Sequence, residues 1–231
     1  MIKGIAFDLE GTVVDVEPAH HHGHIAAAAE VGVVLTIDSA FAKLPHFIGG
    51  PDDEIVREIW ELSDKRQSLA QIAERDKYHY RRLLSTMAVE PRSGFLHVVR
   101  QLRTMGIQTS IGSLTAREEA ATLLERSGLV HVFPRELTVL REDVVNVKPA
   151  PDVFLETARR MEIDPSEQLV FEDSPRGVTA AIVAGSRAIG MPVYNRPEGI
   201  QPLLRAGVVQ IFMDWREIDV TKLLENLNRA S

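Results

Sequence analysis

The sequence of 231 residues contains no cysteine, and this absence removes several kinds of chemistry. Disulfide bonds, thiolate metal ligands and cysteine nucleophiles are all excluded. Positive charge is outnumbered as well: 26 Lys and Arg face 33 Asp and Glu, the formal net charge is −7, and no sustained run of Lys or Arg occurs. Binding led by phosphate neutralisation needs a basic surface, so the composition argues against a nucleic-acid partner.

Long apolar runs are missing as well. No stretch approaches the length of a membrane-spanning helix, and the first ten residues already include Asp8 and Glu10, which a secretory signal would not carry. We therefore expect a soluble cytoplasmic protein with no membrane partner. The chain is long enough for one large domain, or for a core domain that carries a smaller insert.

The order of predicted elements divides the chain into two kinds of segment. The apolar run at 5–7 predicts a buried strand, and from about residue 16 helix follows helix without a convincing strand. Beyond residue 90, helices and short apolar runs alternate, which is typical of a parallel sheet covered on both faces. We therefore predict an α/β fold: a core with a doubly wound parallel sheet, residues 1–15 and 91–231, and an inserted α-helical cap domain, residues 16–90.

Two local patterns in the core segment give sharper expectations. The apolar residues of one predicted helix repeat at helical spacing and should face the core: Phe95, Val98, Val99 and Leu102. Thr115 and Glu118 form a capping-box pattern, which predicts that the next helix begins at Thr115.

Acidic residues follow two of the predicted strands directly. Asp8 and Glu10 follow the first strand, and Glu172 and Asp173 follow the apolar run at 169–171. Ligands bind beyond the carboxyl ends of parallel strands, and carboxylates crowded there repel one another unless a cation intervenes. Oxygen ligands without cysteine favour Mg²⁺. The alternative, that these acids merely cap the following helices, is reasonable for one position and weak for four.

Two further residues have the chemistry of an anion site. Ser113 follows a predicted strand, residues 107–112, and precedes a helix, where free backbone N–H groups favour an anion. Lys148 lies in a proline-rich segment, residues 147–154, whose restricted backbone would hold its ammonium in place. Ser113 or Lys148 alone is weak evidence for an anion site, and the two together are stronger evidence.

In combination, these segments resemble the four motifs of the haloacid dehalogenase-like (HAD) hydrolase superfamily, in the family's order. The core is covered almost completely, and the helical insert matches the cap of the β-phosphoglucomutase and phosphoglycolate phosphatase branch. The matching segments are Asp8-Leu9-Glu10-Gly11-Thr12, then Ser113, then Lys148-Pro149-Ala150-Pro151-Asp152-Val153-Phe154, then Glu172-Asp173-Ser174-Pro175-Arg176-Gly177-Val178.

The resemblance implies an enzyme that transfers phosphoryl groups with Mg²⁺ as its cofactor. Asp8 would attack phosphorus and form an aspartyl-phosphate. The metal would be held by Asp8, the backbone carbonyl of Glu10 and Asp173, with Glu172 as a further ligand or as their hydrogen-bonding neighbour.

Phosphate binding is implied in the same way. Ser113 and nearby backbone N–H groups, including that of Leu114, would hold the phosphoryl oxygens. Lys148 would bridge the nucleophile and the phosphate and balance charge in the transition state. The implied partner is a small phosphorylated substrate, and the protein would be a monomer or a homodimer.

Glu10 departs from the family's usual Asp, which acts as general acid to the leaving group and then as general base to water. The extra methylene moves the proton-transfer point by about 1 Å. Some phosphatases of the superfamily, enolase-phosphatase among them, resemble this chain in carrying Asp-x-Glu-Gly-Thr. The main prediction is therefore a phosphatase, and the alternatives are a phosphosugar mutase and a catalytically silent binding protein.

The cap segment offers candidate substrate residues: Gly49 and Gly50, where this branch often places a substrate loop, and His20, which could face the crevice from the hinge between core and cap. An acidic, glycine-rich stretch around Gly50 stands where mutases carry a basic residue, which argues against a bisphosphate intermediate. His20 and His24 share a helical face, so a zinc or copper site is conceivable. A histidine-rich helix without a metal is the simpler interpretation, because the sequence shows no third ligand.

Overall fold

A sheet of six parallel strands forms the centre of the computed structural model, which describes residues 1–229. The strands lie in the order β3-β2-β1-β4-β5-β6. Their bounds are Gly4–Phe7 for β1, Gln108–Gly112 for β2, Thr138–Val139 for β3, Gln168–Glu172 for β4, Arg187–Gly190 for β5 and Gln210–Ile211 for β6. This sheet confirms the predicted fold class.

The register of the sheet determines which residues meet at its carboxyl edge. Phe7, the last residue of β1, pairs with Ile111 of β2 on one side and with Phe171 of β4 on the other. The residues that follow these three strand positions are Asp8, Gly112 and Glu172. The carboxyl ends of β1, β2 and β4 therefore lie side by side, as the sequence pattern predicts.

The described chain divides into two compact units, one formed by Met1–Asp15 with the chain from Val89 onward, the other by Val16–Ala88. The second unit is helical, with α1 Glu17–Glu30, α2 Ile37–Lys43, α3 Asp52–Leu62 and α4 Leu69–Thr86. Apolar residues from all four helices and their connections form its own core, including Ala28, Leu35, Ala40, Phe47, Ile55, Ile59 and Ile72.

The sheet unit contains the remaining described α-helices. They are α5 Phe95–Thr104, α6 Arg117–Arg126, α7 Asp152–Arg160, α8 Pro175–Val183, α9 Pro197–Ala206 and α10 Val220–Arg229. Along β1, Phe7 packs its ring against Phe95, Phe171 and Trp215, whereas Ala6 belongs to a cluster with Phe154 of α7 and Val178 of α8. Because neighbouring strand residues point to opposite faces, both faces of the sheet are covered.

The four apolar residues predicted to face the core from α5 are all buried, which confirms that prediction. The predicted capping box at Thr115 is wrong. Helix α6 begins at Arg117 after Ala116, with no side-chain cap, and the backbone N–H of Arg117 donates instead to the carboxylate of Glu142. Across the described part of the chain, no helix is both long enough and apolar enough to span a membrane.

Candidate active site

Asp8 lies immediately after β1 at the carboxyl edge of the sheet. Its backbone N–H donates to the carbonyl of Phe171 at 3.0 Å, so the hydrogen-bonding pattern between β1 and β4 continues to the residue that carries the carboxylate. Asp8 is 7% exposed. Within residues 1–229, its Oδ1 accepts a hydrogen bond from Lys148 and its Oδ2 accepts none. Every fully buried side-chain oxygen in this range has a hydrogen-bond partner, so Oδ2 is not fully buried. Oδ2 is therefore the oxygen of Asp8 that a ligand can reach.

The ammonium of Lys148 joins the two strand ends. Nζ donates to Asp8 Oδ1 at 2.5 Å, to Glu172 Oε1 at 2.6 Å and to the carbonyl of Gly112 at 3.2 Å. An ammonium has three protons, so all of its donors are used. The guanidinium of Arg176 donates to the carbonyl of Lys148 and fixes the backbone from the other end. Lys148 is thus held in place rather than solvated.

Glu172 is buried, with 1% of its surface exposed, and both of its oxygens are engaged. Oε1 accepts from Lys148, and Oε2 accepts from the backbone N–H of Ser174 at 2.8 Å and from its hydroxyl at 3.0 Å. Gly177 makes this position possible, because a Cβ at that residue would lie 1.6 Å from Glu172 Oε1. Of the two expected roles of Glu172, metal ligand or hydrogen-bonding neighbour of the ligands, these contacts favour the second, in which it positions Lys148.

Glu10 is held by residues that follow β2. The hydroxyl of Thr115 donates to Glu10 Oε1, and it is also linked to the hydroxyl of Ser113 at 2.8 Å. Ser113 is fixed in turn, since its backbone N–H donates to Val139 of β3 at 3.0 Å. Thr115, whose local pattern predicts a helix cap, therefore belongs to the site.

Asp173 completes the acidic group at this edge. Its Oδ1 accepts from the hydroxyl of Thr12 at 3.0 Å, which ties the segment after β4 to the turn after β1. Arg92 braces that turn by donating to the carbonyl of Gly11 at 2.7 Å and to that of Met191 at 2.9 Å. Among the described residues, none accepts a hydrogen bond from the backbone N–H of Leu114, so this donor is available to an anion.

The charges of this cluster do not balance. Burial raises the pKa of the Asp8 carboxyl to about 7; the Lys148 ammonium opposes that rise, and the carboxylates of Glu172 and Glu10 add to it. Burial acts to lower the pKa of Lys148, but the carboxylates of Asp8 and Glu172 outweigh it and raise that pKa above its ordinary value. One ammonium thus faces an excess of carboxylates, and the site favours a further cation.

The predicted substrate residues lie in the helical unit. His20 stacks on Tyr80 with ring centroids 3.8 Å apart. Gly49 has a positive φ of 63°, and Gly50 packs so closely on His46 that a Cβ would lie 2.3 Å from its carbonyl oxygen. These two glycines are therefore required by the local backbone, and a role in substrate binding stays a prediction for all three residues.

Three residues of the site have no role that the sequence alone predicts. Thr12 and Gly177 lie in the matching motifs without an evident function, and the local pattern of Thr115 predicts a helix cap. The sequence shows only that Thr115 places a hydroxyl two residues after Ser113 and that Thr12 places one after the Gly11 turn. Neither reveals its acceptor, because the acceptors Glu10 and Asp173 lie more than 100 residues away.

A parallel sheet with a buried lysine between two carboxylates at its carboxyl edge defines this unit as an α/β enzyme core. The chain belongs to the haloacid dehalogenase-like hydrolases, whose family model matches residues 2–185. The family resemblance seen in the motifs is thereby confirmed, and the protein is a hydrolase of this family.

Two characterised relatives and one solved structure illustrate the similarity. The fructose-1-phosphate phosphatase of Escherichia coli is 34% identical over 80% of this chain and 94% of its own length. A phosphorylated carbohydrates phosphatase of Thermotoga maritima is 27% identical over 96% of this chain and 99% of its own. A haloacid dehalogenase-like protein from Agrobacterium tumefaciens shares the fold, with a TM-score of 0.86, 22% identity and coverage of 99% of this chain and 100% of that one.

Proposed function

We propose that this protein is a Mg²⁺-dependent phosphatase that hydrolyses a small phosphorylated metabolite through a phosphorylated Asp8. The observation that carries the proposal is the position of the Asp8 carboxylate, with Oδ1 bonded to Lys148 and Oδ2 left accessible. A carboxylate oxygen so placed can act as a nucleophile, because the buried ammonium orients it and neutralises part of its charge.

The donor set fits Mg²⁺. Every candidate ligand is an oxygen, and the carboxylates of Asp8, Glu10, Glu172 and Asp173 outnumber the ammonium of Lys148. Mg²⁺ prefers a few carboxylates and substrate phosphate, and here Asp8, Asp173 and the carbonyl of Glu10 would hold it. When bound, the ion neutralises phosphate charge so that an anionic nucleophile can approach an anionic ester.

In the first half-reaction, Asp8 Oδ2 attacks phosphorus and the bond from phosphorus to the ester oxygen breaks. Glu10, in its protonated form, gives a proton to the leaving oxygen, so a neutral alcohol departs. Thr115 orients the Glu10 carboxyl for this transfer through the hydrogen bond to Oε1. The hydroxyl of Ser113 and the N–H of Leu114 are placed to donate to the phosphoryl oxygens.

In the second half-reaction, the Glu10 carboxylate takes a proton from water. The resulting hydroxide attacks phosphorus, the bond to Asp8 breaks, and inorganic phosphate leaves while Asp8 regains its carboxylate. Lys148 stays bonded to Asp8 and Glu172 through both steps and stabilises the charge that shifts onto the carboxylate. The longer side chain of Glu10 sets where both proton transfers take place.

The characterised relatives favour a sugar phosphate or polyol phosphate as the substrate class. Their names specify phosphorylated carbohydrates and fructose 1-phosphate, and a further relative, 26% identical over 95% of this chain, is the hexitol phosphatase A of Escherichia coli. These names share a phosphate ester of a small polyhydroxylated molecule. The proposal for this chain is accordingly a phosphate ester of a sugar or polyol.

The test is phosphate release from a panel of hexose, pentose and hexitol monophosphates in the presence and absence of Mg²⁺. Wild-type protein should release phosphate only with Mg²⁺, and Asp8→Asn should reduce kcat by about 10⁴-fold or more because the nucleophile is lost. Asp53→Asn, an exposed acid-to-amide change on α3, should leave kcat unchanged.

Three results would contradict the proposal in distinguishable ways. Absence of turnover by correctly folded wild-type protein would overturn the phosphatase activity itself. Turnover that persists in Asp8→Asn would overturn the role of Asp8 alone. Isomerisation of a sugar phosphate without release of phosphate would identify a mutase instead.

A further inference from the structure

Two histidines and one aspartate of the helical unit converge outside the cluster at the sheet edge. One ligand atom from each of His20, His24 and Asp52 lies within 4.8 Å of the other two. His20 and His24 are one helical turn apart on α1, and Asp52 is the first residue of α3. The aspartate is the third ligand that the sequence pattern alone does not reveal.

The orientation of His24 is fixed by a buried acid. His24 Nδ1 lies 2.7 Å from Asp76 Oδ1, and the side chains are only 3% and 5% exposed. Since the Asp76 carboxylate can only accept a hydrogen bond, this contact favours the tautomer of the neutral ring with the proton on Nδ1 and the lone pair on Nε2. A carboxylate that fixes the tautomer of an imidazole in this way is the usual neighbour of a metal-bound histidine.

The other two side chains are placed to close on an ion. His20 is half-buried and stacked on Tyr80, which restricts its ring to one plane. Asp52 is exposed, so its carboxylate can rotate without disturbing the core of the unit. In a tetrahedral zinc site the ligand atoms are about 3.3 Å apart, so the three side chains would have to close from within 4.8 Å of one another, and rotation of Asp52 can bring its oxygen toward the two imidazoles.

The neighbouring histidines do not share this arrangement. The ring of His22 is exposed, and its Nδ1 lies 2.7 Å from the carbonyl of Pro18. His21 is buried and packs on Phe47 with ring centroids 4.4 Å apart. The convergence is therefore particular to the face that carries His20 and His24, and a general enrichment in histidine does not account for it.

We propose that His20, His24 and Asp52 form a binding site for a divalent transition-metal ion, best suited to Zn²⁺. Two imidazole nitrogens and one carboxylate match the ligand preference of zinc, whereas Mg²⁺ prefers an all-oxygen set. Three protein ligands leave a fourth position for water. The bound ion would tie α1 to the beginning of α3 and stabilise the helical unit.

The experiment is a titration of the full-length protein with Zn²⁺, and in parallel with Co²⁺, whose visible spectrum reports its ligands. The variant Asp173→Asn serves as the background, because it removes a candidate metal ligand of the sheet unit. We expect one equivalent of Zn²⁺ to bind in this background, with an increase in Tm. Asp52→Asn and His20→Gln should each weaken binding by about tenfold or more.

Matched controls come from the adjacent positions. Asp53→Asn and His22→Gln make the same chemical changes on the same helices and should leave Zn²⁺ affinity and the increase in Tm within twofold of the background protein. His24 is buried and its replacement would disturb packing, so the decisive test of Zn²⁺ binding is the variant of the exposed Asp52. Unchanged binding in Asp52→Asn and His20→Gln, or loss of all Zn²⁺ binding in the Asp173→Asn background, would overturn the proposed site.

Discussion

Lys148 Nζ lies 2.5 Å from Asp8 Oδ1, although the two residues are 140 positions apart in the sequence. The same ammonium lies 2.6 Å from Glu172 Oε1, and only 6% of Lys148 is exposed. Glu172 therefore holds Lys148 against the strand end, and Lys148 orients Asp8. This chain of contacts makes the lysine both a structural and a functional residue.

Replacement of Lys148 by Met should reveal both roles. We expect kcat to fall by about 10²–10³-fold, because the carboxylate nucleophile loses the cation that orients it. The free energy of unfolding should fall by about 3 kcal/mol, because Glu172 and Asp8 would remain buried without their partner. Steady-state kinetics and urea unfolding would measure the two effects.

Lys222→Met is the matched control for that experiment. Lys222 is exposed on α10, and its loss should change neither kcat nor stability by a measurable amount. Equal activity of wild-type protein and Lys148→Met would show that the ammonium is dispensable for phosphoryl transfer.

Thr115→Val tests the positioning of Glu10. The variant keeps the shape of the side chain but removes the hydroxyl that donates to Glu10 Oε1, so we expect kcat to fall by about tenfold with little change in KM. Thr115→Ser should restore most of the activity, because it restores the donor. Thr122→Val on the exposed face of α6 is the control and should behave like wild-type protein.

The position of Asp8 could be predicted because its signal is local: an apolar run that ends in an acid predicts a strand end. The position of Lys148 could not be predicted from its own segment and was implied only by the resemblance to the family's motifs, because its partner Asp8 is 140 positions away. The role of Thr115 could not be predicted, because its local pattern matches a helix cap equally well. Its acceptor, Glu10, is 105 residues away, and only the folded chain brings the two together.

The fold shows the same limit of local signals. The apolar run at 169–171 predicts β4 with nearly its observed bounds, Gln168–Glu172. Strand β3 has only two residues, Thr138–Val139, which is too short for any alternation to appear, and it was missed. Its pairing with β2 is a property of the sheet and not of its own sequence.

Asp143 offers a prediction about stability and pH that does not involve the catalytic cluster. Arg117 and Arg135 each donate to its Oδ1 at 3.0 Å, and the N–H of Leu140 donates to its Oδ2 at 2.9 Å. Burial acts to raise the pKa of this carboxyl, but these hydrogen bonds and the nearby guanidinium charges outweigh burial and lower it. The ionised carboxylate therefore stabilises the folded state.

Asp143→Asn should lower the free energy of unfolding by about 2 kcal/mol at pH 7. Because the folded-state pKa is depressed, this contribution is fully present above the unfolded value of about 3.9 and is lost as the pH falls through the folded pKa. The difference between wild type and variant should therefore shrink below about pH 4. Urea unfolding at pH 7 and pH 3 measures this difference, and the exposed Glu136→Gln is the control. If the difference in free energy of unfolding between wild type and Asp143→Asn were the same at both pH values, the charge of Asp143 would not be its cause.

Gly177→Ala tests whether the close approach to Glu172 matters for activity. A Cβ would lie 1.6 Å from Glu172 Oε1, a distance that no side chain tolerates, so the carboxylate must move away and lose its bond to Lys148. We expect kcat to fall by about tenfold or more, and the free energy of unfolding to fall by about 1–3 kcal/mol. The loss of activity should exceed what instability alone explains.

Val183→Gly separates these two effects on α8. Val183 is exposed near the end of the same helix, and glycine there should lower stability by about 1 kcal/mol without contact with Glu172. Kinetics measured well below the unfolding transition should show full activity for Val183→Gly and impaired activity for Gly177→Ala. Equal activity of the two variants would mean that Lys148 holds Asp8 without help from Glu172, because displacement of the Glu172 carboxylate would then leave the nucleophile undisturbed.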